Sequence, residues 1–332
     1  MSAVVLGVEG AGVRTHALVC DESGRVLGAA ESGPSNWEIV GIGGAGAALR
    51  VAVAGALEQA DIRAQDIDAS VFGLGGIDWP SDLERLAHAI EPLELGGPSQ
   101  LVNDSFVALR AGASDPWGVV VVAGTGTVAA GVSPSGETFR TLGLGALLGD
   151  FGGENDVSVE AVRAVAAAYT GLGPATRLTE ILCAHLAVAT AAEVLERVSR
   201  REHGGRIEDE VEAFAPAVVA AAAEGDPVAR SILDRAGAAL GEVALLVARK
   251  LDLVGGEFEL VLAGSLFDRA ARLVSDPLEV VVRPQAPGAV IVFLTTPPVV
   301  GAVLMALDGL GVRADPTIRS RVATGAAGAL FA

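Results

Sequence analysis

Three short turns rich in glycine and other small residues follow predicted strands in this 332-residue sequence. They are Gly10-Ala11-Gly12, Gly124-Thr125-Gly126 and Ala263-Gly264-Ser265. Glycine lets backbone N–H groups come close to a phosphate because no side chain stands in the way. The sequence has no GxxxxGK(S/T) loop, the usual single-loop solution for phosphate binding. Phosphate binding would therefore depend on paired hairpin turns.

Three carboxylates lie beside predicted turns or helix starts. Glu9 ends the first predicted strand, and its oxygens are ligands that Mg²⁺ accepts, often through water. Asp104 follows a short strand at a predicted helix start, where aspartate is most often an N-cap. Asp150 lies in a glycine-framed loop and could simply hold its turn. Each residue alone has an ordinary structural interpretation.

The elements that must position these residues alternate between strands and helices. Residues 3–9, 14–20 and 25–30 predict a β-meander. The following predictions are helix 43–60, strand 69–74, helix 81–90, strand 100–102 and helix 105–112. This order is typical of an α/β domain, and we place it at residues 1–113.

A second strand–turn–strand unit, Trp117–Ala123 and Thr127–Val132, repeats the pattern of the first about 115 residues later. We interpret it as a weak internal duplication of pattern. Residues 155–250 are predicted to be almost wholly helical, with the clearest helix at 227–250 after Asp226. Strand 257–262 with its helix, strand 289–294, a helix starting at a proline and a last helix from about 316 complete the chain. The second domain is thus residues 114–332 with a helical insertion, and its last helix could pack back on the first domain.

Composition and charge exclude several classes of function. Acidic residues number 41 and basic residues 23, giving a net charge of −18, which disfavours nucleic acids and anionic membranes. Two uncharged stretches, 116–136 and 284–307, are long enough to span a membrane, but glycines and a Thr-Thr-Pro-Pro segment break them. The N-terminus has no signal-peptide pattern, so we expect a cytoplasmic protein. Cys20 and Cys183 form no disulfide framework or zinc motif, and core packing best explains Cys183 beside His185.

The order of the motifs is more specific than any one of them. From about residue 5 to about 307, the sequence resembles the BadF/BadG/BcrA/BcrD-type ATPase family. This family belongs to the superfamily of sugar kinases, actin and Hsp70-type chaperones. The resemblance is greatest to the N-acetylglucosamine/glucosamine kinase branch. It implies an α/β two-domain actin-like ATPase (ribonuclease H-like) fold with an interdomain cleft, and a homodimer.

The resemblance also assigns roles to individual residues. Glu9 would hold the water shell of Mg²⁺. Asp104 matches the catalytic base, which accepts the proton of a sugar hydroxyl as it attacks the γ-phosphoryl group of ATP. The nucleotide-binding residues would be Gly10, Gly12, Arg14, Thr15, Gly124, Thr125, Gly126, Gly264 and Ser265. The sugar-binding residues would be Asn36, Trp37, Gly76, Asp78, Asn103 and Asp150.

Five positions depart from the family pattern. Val13 replaces a threonine or serine at the first phosphate loop, and Ala11 replaces a glycine; both bear on ATP affinity. Phe151 and Gly153 replace glutamate and serine, and Val128 stands where the kinase branch often has asparagine. These later changes bear on the identity of the sugar, which the sequence leaves open between glucosamine, N-acetylglucosamine and another sugar.

Two alternatives follow from these departures and from the superfamily. A non-catalytic sugar or nucleotide sensor, or a degenerate ATPase of the same family, would tolerate Val13 and Ala11. An iron–sulfur activator of acyl-CoA dehydratases would need cysteines at a subunit interface, which the positions of Cys20 and Cys183 disfavour. A chaperone or filament role would need extra domains.

Overall fold

The computed structural model describes residues 2–200 and 214–330, in which two five-stranded mixed sheets form the framework. The first sheet contains β1 (Val4–Gly10), β2 (Thr15–Asp21), β3 (Val26–Ser32), β4 (Ala69–Leu74) and β5 (Ser99–Asn103). The second contains β6 (Gly118–Ala123), β7 (Thr127–Val132), β8 (Thr138–Arg140), β9 (Phe258–Ala263) and β10 (Ala289–Phe293).

The two sheets share one topology. The first has the order β3-β2-β1-β4-β5 and the second the order β8-β7-β6-β9-β10. In each sheet, three strands form an antiparallel meander, and two further strands run parallel to the first strand of that meander. The strand pattern therefore repeats along the chain, as the paired hairpins indicated. The turns β1–β2 and β6–β7, which carry Gly12 and Thr125, occupy equivalent positions.

Eleven helices are described. The first three are α1 (Trp37–Ala60), α2 (Pro80–Ile90) and α3 (Asp104–Gly112). The middle five are α4 (Glu154–Thr170), α5 (Leu178–His185), α6 (Ala191–Arg200), α7 (Ala215–Ala223) and α8 (Pro227–Lys250). The last three are α9 (Ser265–Val282), α10 (Pro298–Gly309) and α11 (Pro316–Leu330). The helical prediction for 155–250 is confirmed wherever that stretch is described; residues 201–213 lie outside the described residues.

Two elements differ from the prediction: one helix starts earlier, and one strand was missed. The helix predicted at 43–60 begins at Trp37, because the Asn36 side chain accepts a hydrogen bond from Glu38 N and caps it. Gly41, at a φ of 70°, is non-helical and separates this first turn from the rest of the helix. The short edge strand β8 was not predicted, since three residues after a glycine turn give no periodicity.

Both faces of the first sheet are covered by helices. On one face, Leu6 and Phe72 pack with Leu49 of α1. On the other face, Val5 and Leu18 pack with α10 and with Val322 of α11, so the last two helices contact the first sheet. The second sheet packs against the helices that follow β8 and β9, in a separate and larger core. The division at residue 113 stays a prediction.

The two stretches weighed as membrane spans form ordinary globular elements. Residues 116–136 contain β6, the glycine turn and β7, and residues 284–307 contain β10 and most of α10. In the described ranges, α1 is the one helix with the length and apolar composition to cross a membrane. Its buried residues Ala45, Leu49 and Val53 belong to the core against the first sheet.

A glycine at the crossing of α10 and α3 fixes the position of α3. A Cβ atom added at Gly301 would lie 1.9 Å from the Val107 carbonyl oxygen and 2.7 Å from Ala111 N. These are backbone atoms of α3, which cannot rotate aside. We therefore expect Gly301→Ala to lower the free energy of unfolding by about 2–3 kcal/mol, the upper range for overpacking, in urea denaturation.

The matched control is Gly309→Ala, at the end of the same helix, where an added Cβ would meet no atom within 4 Å. This variant should keep the wild-type stability or gain a few tenths of a kcal/mol. Equal stabilities of the two variants would contradict the proposed contact.

Candidate functional site

Three segments of the first sheet meet at the turn after β1. The Gly10 carbonyl accepts a hydrogen bond from Gly75 N at 2.8 Å, which joins the turn to the loop after β4. The Ala11 carbonyl accepts from Ser35 N at 3.2 Å and Asn36 N at 3.3 Å, which joins it to the start of α1. The turn, the β4–α2 loop and the α1 N-terminus therefore form one rigid corner.

The predicted sugar residues Asn36, Trp37 and Gly76 lie together at this corner. Trp37 donates its indole N–H to the Gly76 carbonyl at 2.6 Å. Gly76 has a φ of 83°, and an added Cβ would lie 2.7 Å from Asn36 Oδ1, so glycine is required there. The Asn36 side-chain oxygen caps α1 by accepting from Glu38 N. Its amide nitrogen donates in none of the described hydrogen bonds.

Asp104 faces the same space from the start of α3. A Cβ placed on Gly75 would lie 3.3 Å from Asp104 Oδ2 and 3.6 Å from Asn36 Nδ2. Capping of α3, the ordinary interpretation of Asp104, falls instead to Asn103, whose Oδ1 accepts from Ser105 N at 3.1 Å. Asp104 is thus the first residue of α3, and its carboxylate does not serve as the helix cap.

The surroundings of Asp104 favour its protonated form. Burial and the nearby charge of Glu9 raise its pKa to about 7, with a further contribution from Asp78. The Ser105 backbone N–H and the Arg140 guanidinium oppose the rise. A carboxyl group with a pKa close to neutral pH can both accept and release a proton there, which is the property that general base catalysis needs.

Glu9 is held by a chain of polar contacts. Its Oε2 lies 3.3 Å from His16 Nδ1, and His16 Nε2 lies 3.1 Å from Glu31 Oε2. Burial opposes the charged form of His16, but the hydrogen bonds and charges of Glu9 and Glu31 outweigh it, so the pKa of His16 is raised. Arg14, half-exposed, pairs with Glu31 at 3.2 Å. His16 and Glu31 were not predicted as site residues, because a strand pairing rather than a motif brings them to Glu9.

The second glycine turn lies against the N-terminus of α4. The Gly124 carbonyl accepts from Glu154 N at 2.8 Å and the Thr125 carbonyl from Asn155 N at 3.2 Å. A Cβ on Gly153 would lie 2.8 Å from the Gly126 backbone, which explains a glycine where the family has serine. An added Cβ at Gly126 would meet nothing within 4 Å, so the turn is open on that side.

The third turn lies beside the second. Gly264 has a φ of 103°, and an added Cβ would lie 2.4 Å from the Ala123 carbonyl oxygen. A Cβ at Gly124 would come within 4.0 Å of Ser265 Oγ. The predicted nucleotide residues of the second sheet therefore form one group at the ends of β6 and β9. Open glycine turns of this kind fit a phosphate group.

Other predicted site residues already have partners within the protein. The Thr15 hydroxyl is buried and bonds to the Gly33 carbonyl and to Ser35 Oγ, each at 2.8 Å. Asn103 is buried and donates to the Ile77 carbonyl at 3.2 Å. Their assignments as ligand contacts stay predictions.

The two remaining carboxylates hold loops. Asp150 Oδ2 accepts from Leu144 N at 2.6 Å and Gly145 N at 2.9 Å. Asp78 forms an ion pair with Arg140, the N–O distance being 3.0 Å. Arg140, on the unpredicted strand β8, was missed because its partner lies 62 positions earlier and no motif contains it. Burial raises the pKa of Asp78, and Arg140 opposes this rise.

The positions of the cysteines bear on the iron–sulfur alternative. Cys20 is fully buried in the core between the first sheet and α10, and burial raises the pKa of its thiol. Cys183 lies on α5 against the core of the second sheet. Among residues 2–200 and 214–330, no group of three or more His, Cys, Asp and Glu side chains is arranged to hold a metal ion. The two thiols therefore lie in different cores.

Comparison with known proteins agrees with this geometry. Residues 6–306 match the BadF/BadG/BcrA/BcrD ATPase family, which is nine-tenths of the described framework and all of the turns above. The chain belongs to this family. ATP is accordingly the nucleotide that the family name implies, and the two sheets of shared topology form an actin-like α/β fold.

The relatives cover most of the chain. An N-acetyl-D-glucosamine kinase of Dictyostelium discoideum is 28% identical over 317 residues, covering 92% of this chain and 98% of the relative. An N-acetylmuramic acid/N-acetylglucosamine kinase of Clostridium acetobutylicum is 25% identical over 264 residues, covering 80% and 85%. A crystal structure from Chromobacterium violaceum, provisionally assigned as an N-acetylglucosamine kinase, superposes with a TM-score of 0.68 at 23% identity, covering 92% and 99%. This last likeness shows the fold.

The raised pKa of Asp104 predicts a pH-dependent gain of stability when the charge is removed. When folding raises the pKa of an aspartate, the folded protein loses stability as the pH rises from about 4 through 7, because the unfolded state ionises first. Asp104→Asn should therefore unfold at higher denaturant than wild type at pH 8. The gain should be at most about 4 kcal/mol, because one pKa unit corresponds to about 1.4 kcal/mol, and it should shrink towards pH 4.5.

The matched control is Asp66→Asn, which removes an exposed carboxylate whose pKa is lowered by its hydrogen bond with Arg63. This variant should show no gain at pH 8. Asp104→Asn that is no more stable than wild type at pH 8 would contradict the raised pKa.

Proposed function

We propose that this protein is an ATP-dependent kinase of an amino sugar, N-acetylglucosamine or glucosamine, with Asp104 as the general base. One observation carries the proposal. The Asp104 carboxylate is not needed to cap α3, because Asn103 does so. It has a pKa of about 7 and faces the space beside Gly75 and Asn36. The substrate class is supported by relatives that are named N-acetylglucosamine kinases and that match this chain over most of their length.

Asp104 would act on the acceptor hydroxyl. A sugar hydroxyl is a poor nucleophile, and a carboxylate within hydrogen-bond reach can accept its proton as the oxygen attacks the γ-phosphoryl group. With a pKa of about 7, Asp104 exchanges its proton near neutral pH, as a general base must. The remaining work of phosphoryl transfer is positioning and charge neutralisation.

The glycine turns and Glu9 would provide that positioning. Backbone N–H groups of the first turn and of Gly124-Thr125-Gly126 would bind phosphates. The half-exposed guanidinium of Arg14, which pairs with Glu31, would add positive charge beside the first turn. Mg²⁺, when bound with ATP, neutralises phosphate charge. The partly buried Glu9 carboxylate, fixed by His16, fits a role in holding its water shell. Gly264 and Ser265 would lie on the adenosine side.

The sugar would lie between Asn36 and the loop that carries Asp150. The Asn36 amide nitrogen can donate to a sugar hydroxyl, and a carboxylate such as Asp150 can accept from one. Trp37 and Gly76 shape the wall on the Asn36 side. Closure of the two sheets' loops over the sugar would exclude water and limit hydrolysis of ATP.

The broader assignments follow from the same proposal. We propose two domains, residues 1–113 and 114–332, with the cleft between them as the active site. We further propose a cytoplasmic homodimer that binds neither nucleic acid nor a membrane, in line with the net charge of −18.

A sugar or nucleotide sensor is the second candidate, and Val13 favours it. The Val13 side chain is 74% exposed at the tip of the first turn, where the family has a hydroxyl residue. Valine cannot donate a hydrogen bond to phosphate. A sensor would bind sugar or nucleotide without turnover, and its affinity would not change in Asp104→Asn.

Turnover measurements separate the two candidates. Wild-type protein with Mg-ATP should phosphorylate N-acetylglucosamine or glucosamine in a coupled ADP assay across a panel of hexoses and hexosamines. Its kcat should fall as the pH drops below about 7, because Asp104 becomes protonated. Asp104→Asn should lower kcat by at least about 100-fold.

The control for turnover is again Asp66→Asn, with nucleotide affinity measured for both variants. Only the Asp104 variant should lose turnover, and neither should lose nucleotide binding. A wild-type protein that binds a sugar but phosphorylates none in the panel would replace the kinase proposal with the sensor.

A further inference from the structure

We propose that Asp78 and Arg140 form a strut that holds the two loops of the sugar site in register with Asp104, and that Arg140 is a positioning residue for phosphoryl transfer. The second part rests on the proposed function. Asp78 lies in the loop between β4 and α2 of the first sheet, and Arg140 ends β8 of the second sheet. The pair therefore links a loop of the first sheet to the edge strand of the second.

The pair is short and well buried. Arg140 Nη2 lies 3.0 Å from Asp78 Oδ1, and the side chains are 13% and 8% exposed. Arg140 Nη2 also donates to the Asp78 carbonyl at 3.3 Å. Surface ion pairs contribute little, but a buried carboxylate that loses its partner is strongly disfavoured. Asp78 is thus committed to Arg140 and contributes to the site through it.

On the Asp78 side, the loop is tied to the residue before Asp104. The Ile77 carbonyl accepts a hydrogen bond from Asn103 Nδ2 at 3.2 Å. The backbone N–H groups of Asp78 and Trp79 both donate to Asp82 Oδ2, at 3.2 and 2.8 Å. Any shift of Asp78 would therefore be passed to Asn103, the cap of α3.

On the Arg140 side, contacts lead to Asp150. Arg140 Nη1 donates to the Leu142 carbonyl at 2.8 Å. Two residues further on, Leu144 N and Gly145 N donate to Asp150 Oδ2. One guanidinium thus contacts the start of the Asp150 loop and, through Asp78, the loop of Gly76. These are the two loops between which the sugar would lie.

The charges around Asp104 are consistent with a strut beside the reacting group. Glu9, on β1, and Asp78, on the β4–α2 loop, act to raise the Asp104 pKa, while Arg140, on β8, acts to lower it. Arg140 and Asp78 are therefore near enough to affect Asp104, although neither is described in contact with it. Removing Arg140 leaves Asp78 as a buried carboxylate without a described partner.

A double-mutant cycle tests the strut in the full-length protein. Arg140→Met keeps an unbranched apolar side chain but removes the guanidinium, and with it the ion pair and the hydrogen bonds to the Asp78 and Leu142 carbonyls. Asp78→Asn keeps the shape of its side chain and removes the charge. Each single variant should lower kcat/KM for the sugar by about 100-fold, the loss typical of a misplacement near 1 Å. The double variant should lose no more than the worse single variant, because the pair acts as a unit.

Two further variants separate positioning from general damage. Arg140→Lys keeps the charge and should recover part of the loss. Arg235→Met is the control, because Arg235 of α8 pairs with Glu160 of α4, outside the proposed sugar site. This variant should keep sugar kcat/KM within about threefold of wild type. Nucleotide affinity should change less than threefold in every variant. Losses that multiply in the double variant, or an Arg140→Met variant with wild-type kinetics, would overturn the proposal.

Hydrogen–deuterium exchange tests the strut without any substrate. Arg140→Met should raise amide exchange in both 75–79 and 142–150, which belong to different sheets. If it does not fold, Arg140→Lys should show a smaller rise in the same two segments. A rise confined to 142–150 would overturn the strut. Absence of kinase activity in wild type would refute the proposed function alone, since the exchange pattern does not depend on it.

Discussion

Two carboxylates held near one another in a partly buried corner are the constraint on which the site depends. Glu9 ends β1 and Asp104 begins α3, and burial together with the charge of Glu9 raises the Asp104 pKa to about 7. In water an aspartate has a pKa near 4 and is a poor base for a hydroxyl. Keeping the two groups together requires backbone contacts that resist their repulsion. The hydrogen bond from Gly75 N to the Gly10 carbonyl and the tight crossing at Gly301 are such contacts.

The shared topology of the two sheets explains why the glycine turns β1–β2 and β6–β7 occur as a pair. Each meander starts with a strand whose turn lies at the same edge as the ends of the parallel strands. Ligands of open α/β sheets bind at these carboxyl edges. The first sheet places Asp104, Asn36 and Glu9 at its edge. The second places Gly124 and Ser265 at its own, which in the proposed kinase gives an acceptor side and a nucleotide side.

Much of this arrangement could be predicted from the sequence, because it depends on local signals. Strand periodicity identified nine of the ten described strands, and Asp226 with the proline after it identified the start of α8. Clusters of glycine and other small residues after a strand are also a local signal, and they identified the three turns. The order of the motifs along the sequence carried the family resemblance, which the match over residues 6–306 confirms.

What could not be predicted depends on contacts between distant residues. That Asn103 rather than Asp104 caps α3 is decided by side-chain geometry, since both residue types cap helices well. Arg140 has meaning only beside Asp78, and its strand is three residues long. His16 supports Glu9 because β1 pairs with β2 in one particular register. Such features become visible only when the sheets are assembled.

The coupling between sugar and nucleotide tests the central claim most directly. Isothermal titration would measure binding of N-acetylglucosamine and glucosamine to the wild-type protein, with and without a Mg²⁺ complex of a non-hydrolysable ATP analogue. We expect one of the sugars to bind more tightly when the nucleotide is present, because in the proposed kinase the nucleotide turns and the Asp104 corner line one cleft. Sugar affinity that is unchanged by a bound nucleotide, or no binding of the nucleotide at all, would contradict it.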